Sequence, residues 1–425
     1  MQIEGIGLSL IWYVVLLWLL LKSRGSFSSA RITVLFTTKV IGTFALQWLF
    51  TYYYTDRSTA DIYRFFDDGL LLHKVFFSQP IDYIKIMFNA YSDGDGFKTL
   101  YFEQMNAWIK PNDSAFYNDN HFMIKVNSLL TFLSFGHYEV HGIVFSTLSF
   151  LGLKWCAESL TSEKKNQNLA LTIAILFPSS LLWMSGGLKE TVLIFGIGAF
   201  IKVNPIHLQF NAKSLFLSLN ALIVLISVKI YFIAALVPAY LVHGLCRKRN
   251  WGLMLQFGLW SAFIITGYAL ASLAGFDLTE YIVRKQHDFL NHVQVISPGS
   301  AFEMSYLKEG VLALLASTPQ AIANVLFRPY IYEVKTLPEL LLFIENLFIA
   351  ISLVLFTVHV IRFRDFSKLQ IWIFLFVLPI LILMGMVTPV FGAIMRYRAP
   401  AIILLLIILT PYFRSFLTGI KTTNQ

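Results

Sequence analysis

Long apolar runs separated by short polar segments dominate this chain. About 20 consecutive apolar residues suffice for a helix to cross the hydrocarbon layer of a bilayer. We identify eleven such runs: 6–22, 32–52, 140–158, 168–185, 188–203, 213–228, 230–246, 251–274, 338–361, 369–388 and 396–413. The pattern predicts an all-α polytopic membrane protein with about eleven transmembrane helices, forming a single integral membrane domain over 1–425.

Two long segments interrupt this series: 53–139 and 275–337. Inside them, apolar residues recur at helical spacing in three places: 62–77, 121–135 and 307–326. In the second of these, four apolar residues share one helical face: Phe122, Val126, Leu129 and Leu133. Amphipathic helices of this length lie in a membrane interface rather than crossing the bilayer. We therefore predict interfacial helices in both long loops, with ordinary packing against the transmembrane bundle as the alternative.

The composition excludes other classes of protein. Hydrophobic residues make up 57% of the chain and charged residues 13%, against about 25% charged residues in soluble domains. A soluble globular protein and a disordered chain are both excluded on this ground. Cys156 and Cys246 are the only cysteines, so no disulfide framework is expected.

The basic residues predict an orientation. Sixteen of the 33 Lys and Arg residues lie at alternate ends of the predicted spans: Lys22, Arg24, Arg31, Lys154, Lys164, Lys165, Lys202, Lys213, Arg247, Lys248, Arg249, Arg362, Arg364, Lys368, Arg414 and Lys421. Because cytoplasmic loops carry an excess of Lys and Arg, these ends are predicted to be cytoplasmic. The N-terminus then lies outside, the C-terminus in the cytoplasm, and both long loops on the outer face. The net charge of +9 is thus explained by topology, and no nucleic acid partner is predicted.

Carboxylates cluster directly after the second apolar run, in TYYYTDRSTADIYRFFDDG (51–69). The cluster contains four of them: Asp56, Asp61, Asp67 and Asp68. A carboxylate beside a partly apolar cavity can have a raised pKa and act as a general base. Helix capping or ordinary solvation remains the alternative for each aspartate.

A second polar segment lies between two predicted spans in the middle of the chain, FPSSLLWMSGGLKETVLIF (177–195). Pro178 is expected to break or kink the helix, and Lys189 and Glu190 open the next apolar run. Charges at this depth are functional candidates, and a Lys after a Gly-Gly turn at a helix N-terminus suits a phosphate. The alternative is that the two charges satisfy each other or reach the interface.

The short turns on the predicted outer face hold four bases that the charge rule does not explain, Lys189, Lys229, Arg396 and Arg398, and Arg328 lies on the same side in the second long loop. Arginines held there suggest an anionic ligand such as a phosphate or pyrophosphate. Contact with lipid headgroups is the alternative.

No metal site is predicted. His137, Glu139 and His141 lie at an outer boundary, but no third ligand at a defined position follows. The segment YSDGDGFKT, with Asp93 and Asp95, lacks the remaining carboxylates of a calcium loop. No cofactor is predicted, and dependence on a divalent metal stays open.

Three segments together resemble the integral-membrane C-type glycosyltransferase (GT-C) superfamily: ADIYRFFDDG (60–69), FPSSLLWMSGGLKE (177–190) and MRYRAP (395–400). They also resemble the repeat-unit polymerases of surface polysaccharides. The family carries its catalytic Asp early in the first outer loop. Asp61 matches it best and Asp56 second, although D-E is replaced here by D-I and one extra helix precedes the loop.

The resemblance implies a membrane glycosyltransferase of the bacterial inner membrane, with its active site on the periplasmic side. A polyprenyl-(pyro)phosphate-linked sugar would be the donor, a glycan, lipid or protein hydroxyl the acceptor, and membrane lipids the surroundings. An aspartate would deprotonate the acceptor, and Lys189, Arg396, Arg398 and Arg328 would stabilise the leaving phosphate. Two alternatives stay open: an O-antigen or exopolysaccharide repeat-unit polymerase, and a lipid-linked glycan transporter or flippase.

Overall fold

The structure is a computed structural model, and it describes residues 3–54, 56–92, 94, 96–109, 118–203, 212–247, 251–363 and 367–418. These residues form helices joined by loops, with an isolated antiparallel bridge between Ala301 and Val390. The chain is therefore an all-helical protein over its described part, as the apolar pattern predicts.

Seventeen α-helices follow one another in the described residues: α1 (Ile3–Lys22), α2 (Ser29–Trp48), α3 (Asp61–Ser78), α4 (Pro80–Met87), α5 (Asn120–Ser134), α6 (Tyr138–Leu160), α7 (Lys164–Leu176), α8 (Pro178–Trp183), α9 (Lys189–Val203), α10 (Ala212–Val228), α11 (Ile230–Arg247), α12 (Leu253–Leu273), α13 (Leu278–Ile296), α14 (Val311–Leu326), α15 (Leu337–Phe363), α16 (Lys368–Val387) and α17 (Phe391–Thr418). Leu49–Tyr53 and Lys98–Phe102 are short π-helical turns.

All eleven apolar runs fall on helices, and the described residues contain seven helices that are long and apolar enough to cross a membrane: α1, α2 with its π-helical extension, α6, α12, α15, α16 and α17. The predicted run 168–185 covers two helices, α7 and α8, which are interrupted at Phe177 just before Pro178. The runs that became α10 and α11 are apolar but shorter.

Several helices begin at caps that their sequence provides. The Ser28 hydroxyl accepts the backbone N–H of Arg31 at the start of α2. The Asp277 carboxylate accepts the N–H groups of Thr279 and Glu280 at the start of α13. Because the first N–H groups of a helix have no partner within it, such side chains fix where the helix starts.

The helices form two compact units. The first contains the described residues up to Trp155, 180–203 and 212–230, and the second contains 156–179 and the described residues from Tyr231 onward. The first unit thus holds α1 to α5, most of α6, α9 and α10. The second holds α7 and α11 to α17.

Glycines bring two helix pairs of the first unit into close contact. A Cβ added at Gly198 of α9 would lie 2.3 Å from the carbonyl oxygen of Gly152 on α6. A Cβ added at Gly69 of α3 would lie 2.7 Å from the Asn127 side chain on α5. Both contacts require a residue without a side chain, so they fix the spacing of the helices that carry the site described below.

Helix α5 buries the face that the sequence analysis did not expect to be buried. Its buried positions include four polar residues, Asn127, Ser128, Thr131 and Ser134, whereas Leu129 and Leu133 on the apolar stripe are about half exposed. The reason lies in hydrogen bonding, because Asn127 and Ser134 bind the two ring nitrogens of the buried His141, each at 2.7 Å. The apolar stripe of α5 is therefore partly exposed, and it is available to pack against another apolar surface.

Candidate functional site

The aspartates after α2 occupy four different environments in the first unit. Asp56 bends back on its own loop, where its carboxylate accepts the hydroxyl and the backbone N–H of Ser58. These hydrogen bonds lower the pKa of Asp56. Asp67 forms a two-pronged ion pair with Arg57 on the surface, with N···O distances of 2.6 and 2.8 Å. Both carboxylates therefore have local structural partners.

Asp68 is fully buried and connects α3 to the segment between α4 and α5. Its two oxygens accept the backbone N–H groups of Asn106 and Ala107 at 2.8 and 2.7 Å. Burial raises the pKa of Asp68, and these two N–H donors oppose that rise. Asp68 thus acts as an anchor for residues 106–107.

Asp61 is the first residue of α3, and its side chain is 28% exposed. Its carboxylate lies 3.9 Å from the guanidinium of Arg64, one turn further along the helix. A carboxylate at a helix N-terminus is stabilised by the positive end of the helix dipole. Asp61 is therefore an ionisable group that is fixed on a helix and still reachable from outside the protein.

Lys189 begins α9 and is almost completely buried. Its ammonium group contacts the Asp119 carboxylate at 2.6 Å and donates a hydrogen bond to the Asn120 amide oxygen at 2.7 Å. It also lies 5.4 Å from the centre of the Phe65 ring on α3. Three separate stretches of the first unit therefore meet at this ammonium group.

The neighbouring residue, Glu190, is fully buried and forms its own ion pair. Its carboxylate accepts a hydrogen bond from Lys229 at 2.8 Å, directly after α10. Lys189 and Glu190 therefore each have an oppositely charged partner in another segment of the chain. The two adjacent ion pairs, Asp119–Lys189 and Glu190–Lys229, form what we call the α9 charge cluster.

Asp61 and Lys189 are connected through Phe65 of α3. Phe65 is four residues after Asp61 on this helix, so the two side chains share one face. The Lys189 ammonium group lies 5.4 Å from the centre of the Phe65 ring. Two groups that the sequence analysis selected from distant segments thus both belong to the surroundings of the first two turns of α3.

Arg398 lies in the second unit and is 1% exposed. Its guanidinium lies 3.6 Å from the Glu345 carboxylate, donates to the Asn346 amide oxygen at 2.6 Å and donates to the backbone carbonyl of Val325. Asn346 in turn donates to the backbone carbonyl of Arg328 at 2.7 Å. Two of the three guanidinium nitrogens are thus bound to protein acceptors, while the buried Nε has no hydrogen-bond partner among the described residues.

Arg328 and Arg396 also lie in the second unit. Arg328 forms a two-pronged ion pair with Glu333 and lies 4.3 Å from the centre of the Phe302 ring. Arg396, on α17, is partly buried, and its guanidinium lies 5.6 Å from the centre of the Tyr397 ring. These two arginines belong to a different unit from Asp61 and Lys189.

The sequence analysis missed the acidic and amide partners of these cations: Asp119, Asn120, Glu333, Glu345 and Asn346. Asp119 and Asn120 resemble ordinary helix-start residues in the sequence, and they do precede and begin α5. A buried carboxylate inside a long apolar helix, as at Glu345 in α15, is the one signal that would have revealed a pairing in advance.

Metal ligation finds no support in the described part of the chain, where no group of three or more His, Cys, Asp and Glu residues could hold an ion. His141, considered above as one of a ligand pair, is hydrogen-bonded at both ring nitrogens. Asp93 and Asp95 lie outside the described residues.

Comparison with known proteins adds no family or fold assignment. No protein-family model matches the chain, and neither the curated proteins nor the solved structures contain a significant match to it. The function of the protein is therefore inferred from its residues and their geometry.

Proposed function

We propose that this chain is a membrane glycosyltransferase that moves a sugar from a polyprenyl-(pyro)phosphate donor to an acceptor hydroxyl. The proposal includes the finer topology: eleven spans in a GT-C-like arrangement in the bacterial inner membrane, with the N-terminus and both long loops on the periplasmic side. The long apolar helices support the membrane setting, and the distribution of Lys and Arg supports the orientation.

One observation carries the proposal, namely that a reachable carboxylate begins α3 and a buried ammonium group contacts the same helix one turn further on. Asp61 supplies the carboxylate, and Lys189 supplies the ammonium group that lies over the Phe65 ring. Transfer from a lipid phosphate needs a base for the acceptor and a cation for the leaving group.

The reaction balances with these two groups. The Asp61 carboxylate takes the proton of the acceptor hydroxyl, and the hydroxyl oxygen forms a bond to the anomeric carbon. The bond between that carbon and the lipid phosphate oxygen breaks, and the phosphate leaves with the electron pair. Its added negative charge is stabilised by Lys189, for which the phosphate competes with Asp119.

An exposed apolar surface further along the same helices supports their contact with the membrane that holds the prenyl chain. Helices α3 to α5 and the residues that follow them expose a set of large apolar side chains: Phe77, Ile81, Ile84, Phe88, Leu129, Leu133 and Phe135. An exposed apolar surface of this extent is typical of contact with a membrane or a partner. We assign it to the outer leaflet of the bilayer, where these helices would lie at the interface.

The test uses Asp61→Asn in membranes that contain the full chain. The probes are polyprenyl-phosphate and polyprenyl-pyrophosphate donors that carry radiolabelled glucose, galactose, mannose or N-acetylglucosamine, with transfer measured in the wild type first. We expect the variant to lose transfer by at least about 100-fold, as for the removal of a general base.

Asp82→Asn is the matched control. Asp82 also lies in the first turn of a helix, is 26% exposed and has a basic neighbour three residues on, Lys85, at 3.7 Å. It should keep full transfer. Full activity in Asp61→Asn, or an equal loss in both variants, would contradict the role of Asp61.

The product distinguishes the transferase from the polymerase. A polymerase would extend a pyrophosphate-linked oligosaccharide into chains of many repeats and would depend mainly on outer arginines. In the second unit, Arg398 and Arg328 are each paired with a carboxylate, which favours the transferase. Translocation of a labelled lipid-linked glycan that is insensitive to Asp61→Asn would instead indicate a flippase.

A further inference from the structure

A second candidate site lies in the first unit, where eight described residues before and at the start of α5 line a cavity of about 300 Å³. Six of the residues that line it define what we call the aromatic cavity: Tyr91, Phe97, Lys98, Phe102, Trp108 and His121. Nothing in the proposed chemical step uses these residues.

The floor of the aromatic cavity is a fixed stack of rings. Trp108 lies between Phe102, at 4.5 Å and 13°, and His121, at 4.0 Å and 21°. Tyr91 stacks on Phe97 at 5.3 Å and 15°. Rings held in this way by packing and hydrogen bonds form a surface that exists before any ligand arrives.

The aromatic cavity is linked to Lys189 through two adjacent residues. Asn120 binds Lys189 with its amide oxygen and the carbonyl of Ala107 with its amide nitrogen. The next residue, His121, lines the cavity, and its ring nitrogen contacts the carbonyl oxygen of Trp108 at 2.9 Å. A ligand in the cavity would therefore contact α5 at the residue that follows the one bound to Lys189.

We propose that the aromatic cavity binds a pyranose ring of the acceptor glycan. That this glycan is the acceptor rests on the proposed function, whereas the choice of a pyranose as ligand follows from the residues that line the cavity. A pyranose has flat C–H faces that pack on aromatic rings and hydroxyl groups that need polar partners at the edge. Because Phe97, Phe102 and Trp108 are almost fully buried, the ring faces that a sugar can reach belong to the partly exposed Tyr91 and His121. Ser92 and Lys98 supply the polar partners.

The volume of the cavity and the charges around it restrict the class of ligand further. A volume of about 300 Å³ is at the small end of ligand sites, which suits one or two sugar rings rather than a whole repeat unit. Lys98 lines the cavity and Lys125 lies 5.8 Å from the Trp108 ring. We therefore expect sugars with a carboxylate to bind better than their neutral counterparts.

Binding is measured directly on the full chain in lipid nanodiscs, against an array of neutral and uronic acid oligosaccharides. We expect at least one oligosaccharide to bind the wild type and to lose about 10-fold or more in affinity in Tyr91→Ser. Tyr91→Phe keeps the ring and should bind nearly as the wild type does. Tyr52→Ala removes an aromatic ring that is 67% exposed and does not line the cavity, so it should bind normally.

A second variant covers the case in which Tyr91→Ser does not fold. Ile109 lies at the edge of the cavity and is 40% exposed, so Ile109→Trp should fill the space without disturbing the stacked floor and should block binding. No binding by the wild type to any oligosaccharide, or binding that both variants leave unchanged, would overturn the proposal.

The experiment separates this inference from the proposed function. Asp61→Asn should bind the oligosaccharide as the wild type does, because Asp61 does not line the cavity. If binding is found but transfer does not depend on Asp61, the catalytic proposal fails alone. If transfer depends on Asp61 but neither Tyr91→Ser nor Ile109→Trp affects binding, the aromatic cavity proposal fails alone.

Discussion

The two units each hold a buried cation that was expected to bind phosphate, and the two cations have different surroundings. Arg398 in the second unit is 1% exposed and is enclosed by Glu345, Asn346 and a backbone carbonyl. Lys189 in the first unit is also buried, but its partner Asp119 has a side chain that is 21% exposed. The Arg398–Glu345 ion pair is enclosed by protein, whereas the Lys189–Asp119 ion pair reaches the surface of its unit.

We propose that this difference separates a structural cation, Arg398, from a ligand-binding one, Lys189. A phosphate that binds Arg398 would have to displace a fully buried carboxylate, which would then be left without its charge partner. A phosphate that binds Lys189 would displace a carboxylate that can turn toward water. The comparison therefore favours Lys189 as the donor contact and gives Arg398 the role of fixing α15 against α17.

The largest expected effect is on stability, in Arg398→Met. This variant leaves the buried Glu345 carboxylate without its charge partner. We expect the free energy of unfolding to fall by about 3–5 kcal/mol. Thermal unfolding of the purified protein in detergent measures it.

The double variant Arg398→Met/Glu345→Gln removes both charges and keeps an acceptor for the Ser179 N–H group, which Glu345 binds. It should recover most of the stability and also keep sugar transfer. A double variant that is stable but inactive would show that Arg398 does bind the donor, and the comparison between the units would then be wrong.

Lys189→Gln is expected to weaken the use of the donor and to leave the fold intact. A charged hydrogen bond contributes about 1.5–3 kcal/mol, so kcat/KM for the donor should fall about 10-fold to 100-fold. Lys202→Gln, at the exposed C-terminal end of the same helix, is the control and should leave the kinetics unchanged. Equal donor kinetics in the wild type and Lys189→Gln would place the phosphate elsewhere.

Asp119→Asn tests the competition between carboxylate and phosphate, and its effect should have the opposite sign. The amide keeps an acceptor for Lys189 but removes the negative charge that opposes an incoming phosphate. We expect KM for the donor to decrease by about 3-fold to 10-fold, or roughly 0.7–1.4 kcal/mol. An increase in KM would mean that Asp119 orients Lys189 and does not compete with the donor.

The sequence predicted the helical class and the approximate limits of most helices, because apolar runs depend only on local composition. It also selected Asp61 and Lys189, since a charge beside an apolar run is visible without a structure. It could not separate Asp67 from Asp68, although one is paired at the surface and the other is buried under two N–H donors.

The pairing of charges was the main element that the sequence did not reveal. Lys189 and Glu190 are adjacent and opposite in charge, yet they bind Asp119 and Lys229. Such partners come from distant segments, and only the packing of α5, α9 and α10 decides which ones meet. The buried polar face of α5 was missed for the same reason, because it depends on His141 from another helix.

The smallest expected effect concerns pH and again distinguishes the two units. Burial lowers the pKa of Lys125 on α5 from 10.5 to about 8, so the folded protein releases this proton more readily than the unfolded chain. Between about pH 8 and 10.5 the unfolded chain holds more protons, and the free energy of unfolding should therefore rise with pH. Below about pH 8 both states are protonated, and the full cost of the buried charge is present.

Lys125→Met should remove this rise and stabilise the protein slightly at neutral pH. Denaturation midpoints between pH 7 and 10.5 in the wild type and the variant would measure the difference. The comparison predicts that the Arg398→Met/Glu345→Gln variant keeps the rise, because Lys125 belongs to the first unit and the substituted residues to the second. If that double variant also lost the rise, Lys125 would not be its source, and the charge that reports pH would have to be sought in the second unit.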